Sequence, residues 1–245
     1  MNFTDMQAIF TIEGLISFST LFLLELVLGI DNIVFISIIA EKLPKEKQKK
    51  ARTLGLWLAL IMRILILLLI SFIVGLNVKL FTILGVGFSG RDIVLLLGGL
   101  FLMAKSTTEI HSKIEGEETK NEVKSKKNIF TLVILQIVLL DLVFSFDSIL
   151  TAIGLVSNVS IMILAVIASI IFMMIFSQIV SDFVNQHPTV KMLALAFLLM
   201  IGLLLVVESF SVHIPKGYVY FAMAFSLFVE MLNLRMRKKR ILSDK

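Results

Sequence analysis

The chain contains no cysteine. That absence excludes disulfides, iron–sulfur clusters and thiolate metal sites. Histidine is almost as scarce. His111, His187 and His213 are the three present, and each falls at or beyond the end of an apolar run. A site inside those runs therefore has only oxygen ligands to offer. No lysine or arginine precedes the first apolar run, which is also too long for a secretory leader. We therefore expect it to be a retained span and not a cleaved signal peptide. Neither a His-Glu-x-x-His motif nor the Gly-x-Gly-Asp pattern of intramembrane aspartyl proteases occurs, and we expect no enzyme activity.

Charge is sparse as well. Only 17% of the 245 residues are charged, 58% are hydrophobic, and the mean hydropathy is +1.00. Several runs reach the ~18 apolar residues that cross a ~30 Å bilayer core. The expected fold is an all-α polytopic membrane protein with spans at 14–40, 53–76, 92–109, 129–155, 159–181, 191–212 and 217–234. The net charge of +5 does not point to nucleic acid, because the basic residues cluster beside spans. Nineteen of them fall on one side: between spans one and two, around the link from three to four, between five and six, and after seven. The other side has three: Lys79, Arg91 and Lys216. The rule that basic loops stay in the cytoplasm predicts an outside N-terminus and a cytoplasmic C-terminus in an inner or plasma membrane.

The charged stretch 110–128 reads as a cytoplasmic linker between residues 1–109 and 129–212, with a seventh helix and basic tail in 213–245. Each half holds three spans. Three is odd, so matching segments cross the membrane in opposite directions, as in the inverted repeats of many transporters. Span seven stands outside the repeat. Tyr218 and Tyr220 near its start suit an interfacial aromatic belt.

One pattern occurs in both halves. Glu25-Leu26-Val27-Leu28-Gly29-Ile30-Asp31-Asn32-Ile33 and Asp141-Leu142-Val143-Phe144-Ser145-Phe146-Asp147-Ser148-Ile149 match position by position, 116 residues apart. Each puts two carboxylates inside an apolar run, where a charge costs at least ~3 kcal/mol and marks a functional site by default. Glu25 and Asn32 are seven apart and share a helix face, as do Asp141 and Ser148. Asp31 and Asp147 fall about 120° away from the first acid of their own copy. Gly29 lies between the first pair and Ser145 between the second, either of which can mark a local unwinding; we expect a break at Gly29, since such breaks are common at transporter ion sites. Without it the pairs would bind two ions or face different helices.

Carboxylate, amide and hydroxyl oxygens suit hard cations: Mn²⁺, Mg²⁺ or Ca²⁺. Arg63 sits near the centre of span two and is expected to pair with one or two of the four acids. Its role is either a structural ion pair or a tethered cation that exchanges with substrate. The bland alternative makes the acids interhelical glue, which suits one lone acid better than four in duplicate. Lys105 and Glu109 are spaced for a local ion pair. Lys105, Glu208 and Glu230 are candidates for an ion path.

The stretches Leu24–Asn32 and Asp141–Ile149 closely resemble the two signatures of TerC-family integral membrane proteins. The likeness extends to Arg63, Lys105 to His111, His187-Pro188, and Glu230 to Asn233. The resemblance implies a seven-span, transporter-like protein of the LysE-related group, linked to manganese efflux and to metal supply for exported proteins. It implies that Glu25, Asp31, Asn32, Asp141 and Asp147 carry the metal site, and we add Ser148 as the counterpart of Asn32. The family is named for tellurium resistance, but an acidic site repels tellurite, so direct tellurite transport is not expected. The expected function is export of a divalent cation, Mn²⁺ first, by alternating access with proton antiport. The ion is the substrate and no resident cofactor is expected. The rival readings are a membrane scaffold for maturing or metalating exported proteins, with secretion-system partners, and more remotely an intramembrane aspartyl-type enzyme.

Overall fold

The computed structural model describes residues 11–69, 79–83, 86–115, 126–156, 158–212 and 214–243. His213, linker residues 116–125 and positions 70–76 of the expected second span lie outside them. The described residues form seven helices, each long and apolar enough to cross a membrane. They are α1 (Ile12–Ala40), α2 (Lys45–Leu68), α3 (Gly90–Ile114), α4 (Lys126–Leu155), α5 (Val159–Gln186), α6 (Pro188–Ser209) and α7 (Lys216–Ser243). A short antiparallel hairpin, β1 (Lys79–Ile83) with β2 (Val86–Ser89), joins directly to α3. In hydrocarbon every backbone N–H and C=O must be satisfied within the chain, and helices do this segment by segment.

The helix starts are written locally. Thr11 accepts from the Gly14 N–H at 3.0 Å. Ser89 and Asp92 form a reciprocal capping box, Asp92 Oδ2 accepting from the Ser89 N–H at 2.8 Å. Asn158 accepts from the Ser160 N–H at 2.9 Å, and Pro188 opens α6 at the position where its missing donor costs nothing.

Several expected boundaries move. α2 starts eight residues before the expected span, because Pro44 fixes its entrance and Lys, Glu and Gln are good helix formers outside the bilayer. The expected linker is helical at both ends: 110–114 continue α3 and 126–128 open α4. α7 runs on through the basic tail to Ser243. The hairpin is an addition to the sequence reading, which assigned no element there.

The most extensive helix pair is α3 with α6, followed by α1 with α5; α2 packs on α4 and α5, and α1 on α4. The α3–α6 crossing depends on Gly99 and Gly202. A Cβ on Gly99 would lie 2.6 Å from the Gly202 carbonyl oxygen, and one on Gly202 would lie 2.9 Å from that of Gly99. Small residues let backbones approach where lipid supplies no hydrophobic drive for association. The core runs through α1 to α6, with Leu21, Leu102, Ile137, Ile149, Ile170 and Leu205 nearly inaccessible. Residues such as Trp57, Leu97, Ile175 and Phe225 point outward. α7 packs mainly on α6 and is the most exposed helix.

The expected break at Gly29 is absent. α1 and α4 are continuous helices through 25–32 and 141–148. The glycine serves packing instead, since the Met173 side chain of α5 occupies the space that a Cβ would need.

Candidate functional site

Arg63 organises the site. It projects from α2 into the bundle and is 2% exposed. Its guanidinium grips Asp141 of α4 through two bonds, Nη2 to Oδ1 at 2.7 Å and Nε to Oδ2 at 3.3 Å. Its Nη1 donates to Glu25 of α1. The first acids of the two motif copies, 116 residues apart in sequence, thus share one cation. Both are buried. A two-point guanidinium–carboxylate contact fixes geometry as well as charge.

The seven-residue faces meet as the spacing predicts. Asn32 Nδ2 donates to Asp141 Oδ1 at 3.4 Å. Ser145, one turn after Asp141, donates to its Oδ2 at 2.9 Å. Ser148 donates to the Ser145 carbonyl at 3.2 Å. Among the described residues, Asn32 Oδ1 is buried and has no donor. The side chains of Asp31 and Asp147 lie outside the described residues, although both positions are on continuous helix.

Asn32, Arg63 and Ser148 line a cavity of about 40 Å³, together with Leu28 and Phe144. Ile201, Leu204 and Leu205 of α6 and Val219 and Tyr220 of α7 complete its wall. Most of this wall is apolar. The arrangement gathers oxygen acceptors and one permanent cation beside a small cavity. Among the described residues, no group of three His, Cys, Asp or Glu side chains could hold a metal ion. The residues described at the site are therefore two carboxylates closed upon an arginine.

The candidates for an ion path lie elsewhere. Glu208, near the end of α6, pairs with Arg91 at the start of α3 at 2.7 Å. Lys105 pairs with Glu109 at 2.7 Å as the spacing predicts, and Lys42 of the α1–α2 turn joins them. A second group forms beside it, where Lys191 of α6 bonds Glu41 and Lys113 lies 3.8 Å from the same carboxylate. Glu230 on α7 accepts from Asn233 at 3.3 Å. None of Lys105, Glu208 and Glu230 lines the cavity. Ion pairs thus lie toward both ends of the bundle, apart from the central site.

Two features escaped the sequence reading. Ser145 entered it as a helix-breaking candidate, whereas its spacing of four after Asp141 already allowed a side-chain bond within one helix. Tyr218 and Tyr220 entered together as interfacial anchors, and Tyr218 is 75% exposed. Tyr220 instead walls the cavity, and no local pattern distinguishes the two.

A sequence profile described as the integral membrane protein TerC family matches residues 10–243. The UPF0053 protein of Haemophilus influenzae is 48% identical over 226 residues, which cover 92% of this chain and 95% of that protein. The UPF0053 inner membrane protein YgdQ of Escherichia coli K12 is 49% identical over 224 residues, 91% of this chain and 94% of that protein. YoaE of the same organism, a UPF0053 inner membrane protein, is 50% identical over 222 residues, but these make up 43% of its own length. No solved structure is significantly similar. The chain is an integral membrane protein with seven candidate spans, and it belongs to the TerC family.

Proposed function

We propose that the protein exports a divalent cation, Mn²⁺ in the first place, and that the motif acids bind it near the membrane midplane. The observation that carries this reading is the joint hold of Arg63 on Glu25 and Asp141, the first acids of two matched motifs. Charges buried in a membrane bundle face its interior and mark ion pathways. In this conformation Arg63 occupies the carboxylates, as a tethered cation that an incoming metal displaces. Asn32 Oδ1 is buried and has no donor among the described residues, so it is an acceptor for that metal once the site opens.

Charge counting adds the proton. Glu25, Asp31, Asp141 and Asp147 with Arg63 carry three net negative charges when ionised. One divalent ion removes two of them, and one proton removes the third. Loss of the metal then favours proton uptake, which is the requirement for antiport.

The helix pairing supports two inverted halves. Exchanging α1 with α4, α2 with α5 and α3 with α6 maps the α1–α5 contact onto α2–α4. It leaves α1–α4, α2–α5 and α3–α6 each mapped onto itself, and all of these pairs pack. On this reading the halves rock about the central site, the ion pairs at either end open in turn, and the basic end faces the cytoplasm. The protein is then a transporter and not an enzyme, in the inner membrane, with the metal as substrate.

Mn²⁺ flux in proteoliposomes with a pH-sensitive dye inside tests this. The wild type should move Mn²⁺ against protons, and Asp31→Asn/Asp147→Asn should abolish both signals. Absence of flux for Mn²⁺, Mg²⁺ and Ca²⁺ under either pH gradient would overturn the transporter reading.

A further inference from the structure

α3 and α6 cross where neither carries a side chain. A Cβ on Gly99 or on Gly202 would come within 2.6 or 2.9 Å of the other's carbonyl oxygen. That reciprocity is what a two-fold axis through the crossing would produce. Met103 and Val206 border the contact. Between most packed helices, ridges of side chains sit in grooves and resist a change of angle. Two bare backbones have no such ridges where they touch, so rocking about that point needs little repacking.

Ion pairs tie the same two helices on either side of the crossing. Arg91 at the start of α3 bonds Glu208 of α6 at 2.7 Å. These residues lie eight and six positions from the glycines, about 12 and 9 Å along their helices. On the other side, one carboxylate serves both helices. Glu41, just past the end of α1, bonds Lys191 of α6 through Oε2, and the same oxygen lies 3.8 Å from Lys113 of α3. Those lysines stand about 16 and 21 Å along their helices from the crossing.

The pairs differ in what they join. Arg91–Glu208 and Glu41–Lys191 each link the first three helices to the next three. Lys42–Glu109 and Lys105–Glu109 lie within the first three. Arg91 and Glu41 are partly exposed, so water can solvate one partner of each linking pair when it parts. Leu204, one turn before Glu208, lines the central cavity, so a swing of α6 moves a wall of that site.

We propose that α3 and α6 rock about the Gly99–Gly202 crossing, and that Glu41–Lys191 and Arg91–Glu208 are the latches that hold its two ends in turn. Both latches are closed in this conformation. Lys42, Lys105 and Glu109 travel together with one half and hold neither state. The proposal deepens the transporter reading and rests on it. Parting of the Glu41 latch opens the central cavity toward the basic loops, and parting of the Arg91 latch opens it toward the opposite face.

Leu28→Cys places a single thiol in the central cavity of a chain that has no cysteine. Its reaction with a charged, impermeant methanethiosulfonate would be timed from each face, in right-side-out and inside-out vesicles without Mn²⁺. Glu41→Gln/Lys191→Gln should speed labelling from the basic-loop face about fivefold, the scale of one charge-assisted hydrogen bond, and slow it from the other. Arg91→Gln/Glu208→Gln should do the reverse. Each double variant removes both charges of its pair, so no buried partner is stranded. Lys42→Gln leaves Glu109 its bond from Lys105 and should label as the single-cysteine parent does. Reciprocity separates rocking from simple loosening, which would speed both faces. Faster labelling from both faces, unchanged rates, labelling from neither face in any variant, or an equal shift from Lys42→Gln would overturn the proposal. Mn²⁺ flux is read separately. Reciprocal labelling without flux removes the transporter reading and leaves the rocking pair, and flux without reciprocity does the converse.

Discussion

At the scale of single residues, Arg63 settles how buried acids coexist. Glu25 and Asp141 tolerate desolvation because one guanidinium satisfies both, with Ser145 and Asn32 completing the bonds to Asp141. Removing one partner of such a group strands the others. Arg63→Met should therefore cost about 3–5 kcal/mol of stability, read as a large fall in Tm in detergent. Arg63→Met/Glu25→Gln/Asp141→Asn removes the stranded charges and should recover most of that loss. It should nevertheless fail to move Mn²⁺. A single variant as stable as the wild type would show that Arg63 is not holding the acids. The motif acids and Arg63 were legible in the sequence because charge inside hydrocarbon is conspicuous. Their division of labour was not. Asp141 takes two bonds from Arg63 and Glu25 takes one, a difference set by the approach of α2 and by no pattern within either motif.

At the scale of elements, glycine marks close approach, and the neighbouring atom decides the cost of filling it. At Gly99 a new Cβ meets the Gly202 carbonyl oxygen at 2.6 Å, part of a helix backbone that cannot step aside. Gly99→Ala should cost about 1–3 kcal/mol, as overpacking does. At Gly29 the obstacle is the Met173 side chain, which is flexible, so Gly29→Ala should cost less. Gly217 faces open space, and Gly217→Ala should leave the Tm unchanged. Thermal melts of the three variants side by side check the order Gly99, Gly29, Gly217. The expected helix break failed here for the same reason. A glycine in a transmembrane motif signals either unwinding or a close neighbour, and the sequence does not show that Met173 lies opposite.

At the scale of the whole molecule, charge is arranged in layers. Glu41, Lys42, Glu109, Lys113 and Lys191 gather where the α1–α2 turn meets the end of α3 and the start of α6. Arg91 and Glu208 pair where α3 begins and α6 ends. The first group belongs to the end with the basic loops, which the topology argument places in the cytoplasm. The absence of cysteine makes this directly measurable, since single cysteines can be introduced without background. Lys50→Cys should react with an impermeant maleimide only after permeabilisation, and Val212→Cys should react in intact cells. The opposite pattern would invert the topology and the direction of export with it.

The sequence alone determined the membrane class, the seven candidate spans and the duplicated acid motif. Each follows from composition or from short spacing along one helix, where hydrophobicity and a 3.6-residue period leave few alternatives. Tertiary structure decided that α1 and α4 stay continuous, that Arg63 joins Glu25 to Asp141, and that Tyr220 walls the cavity. These depend on which helix lies opposite which. In a bundle whose helices are apolar nearly all round, the sequence marks no single face for its neighbour.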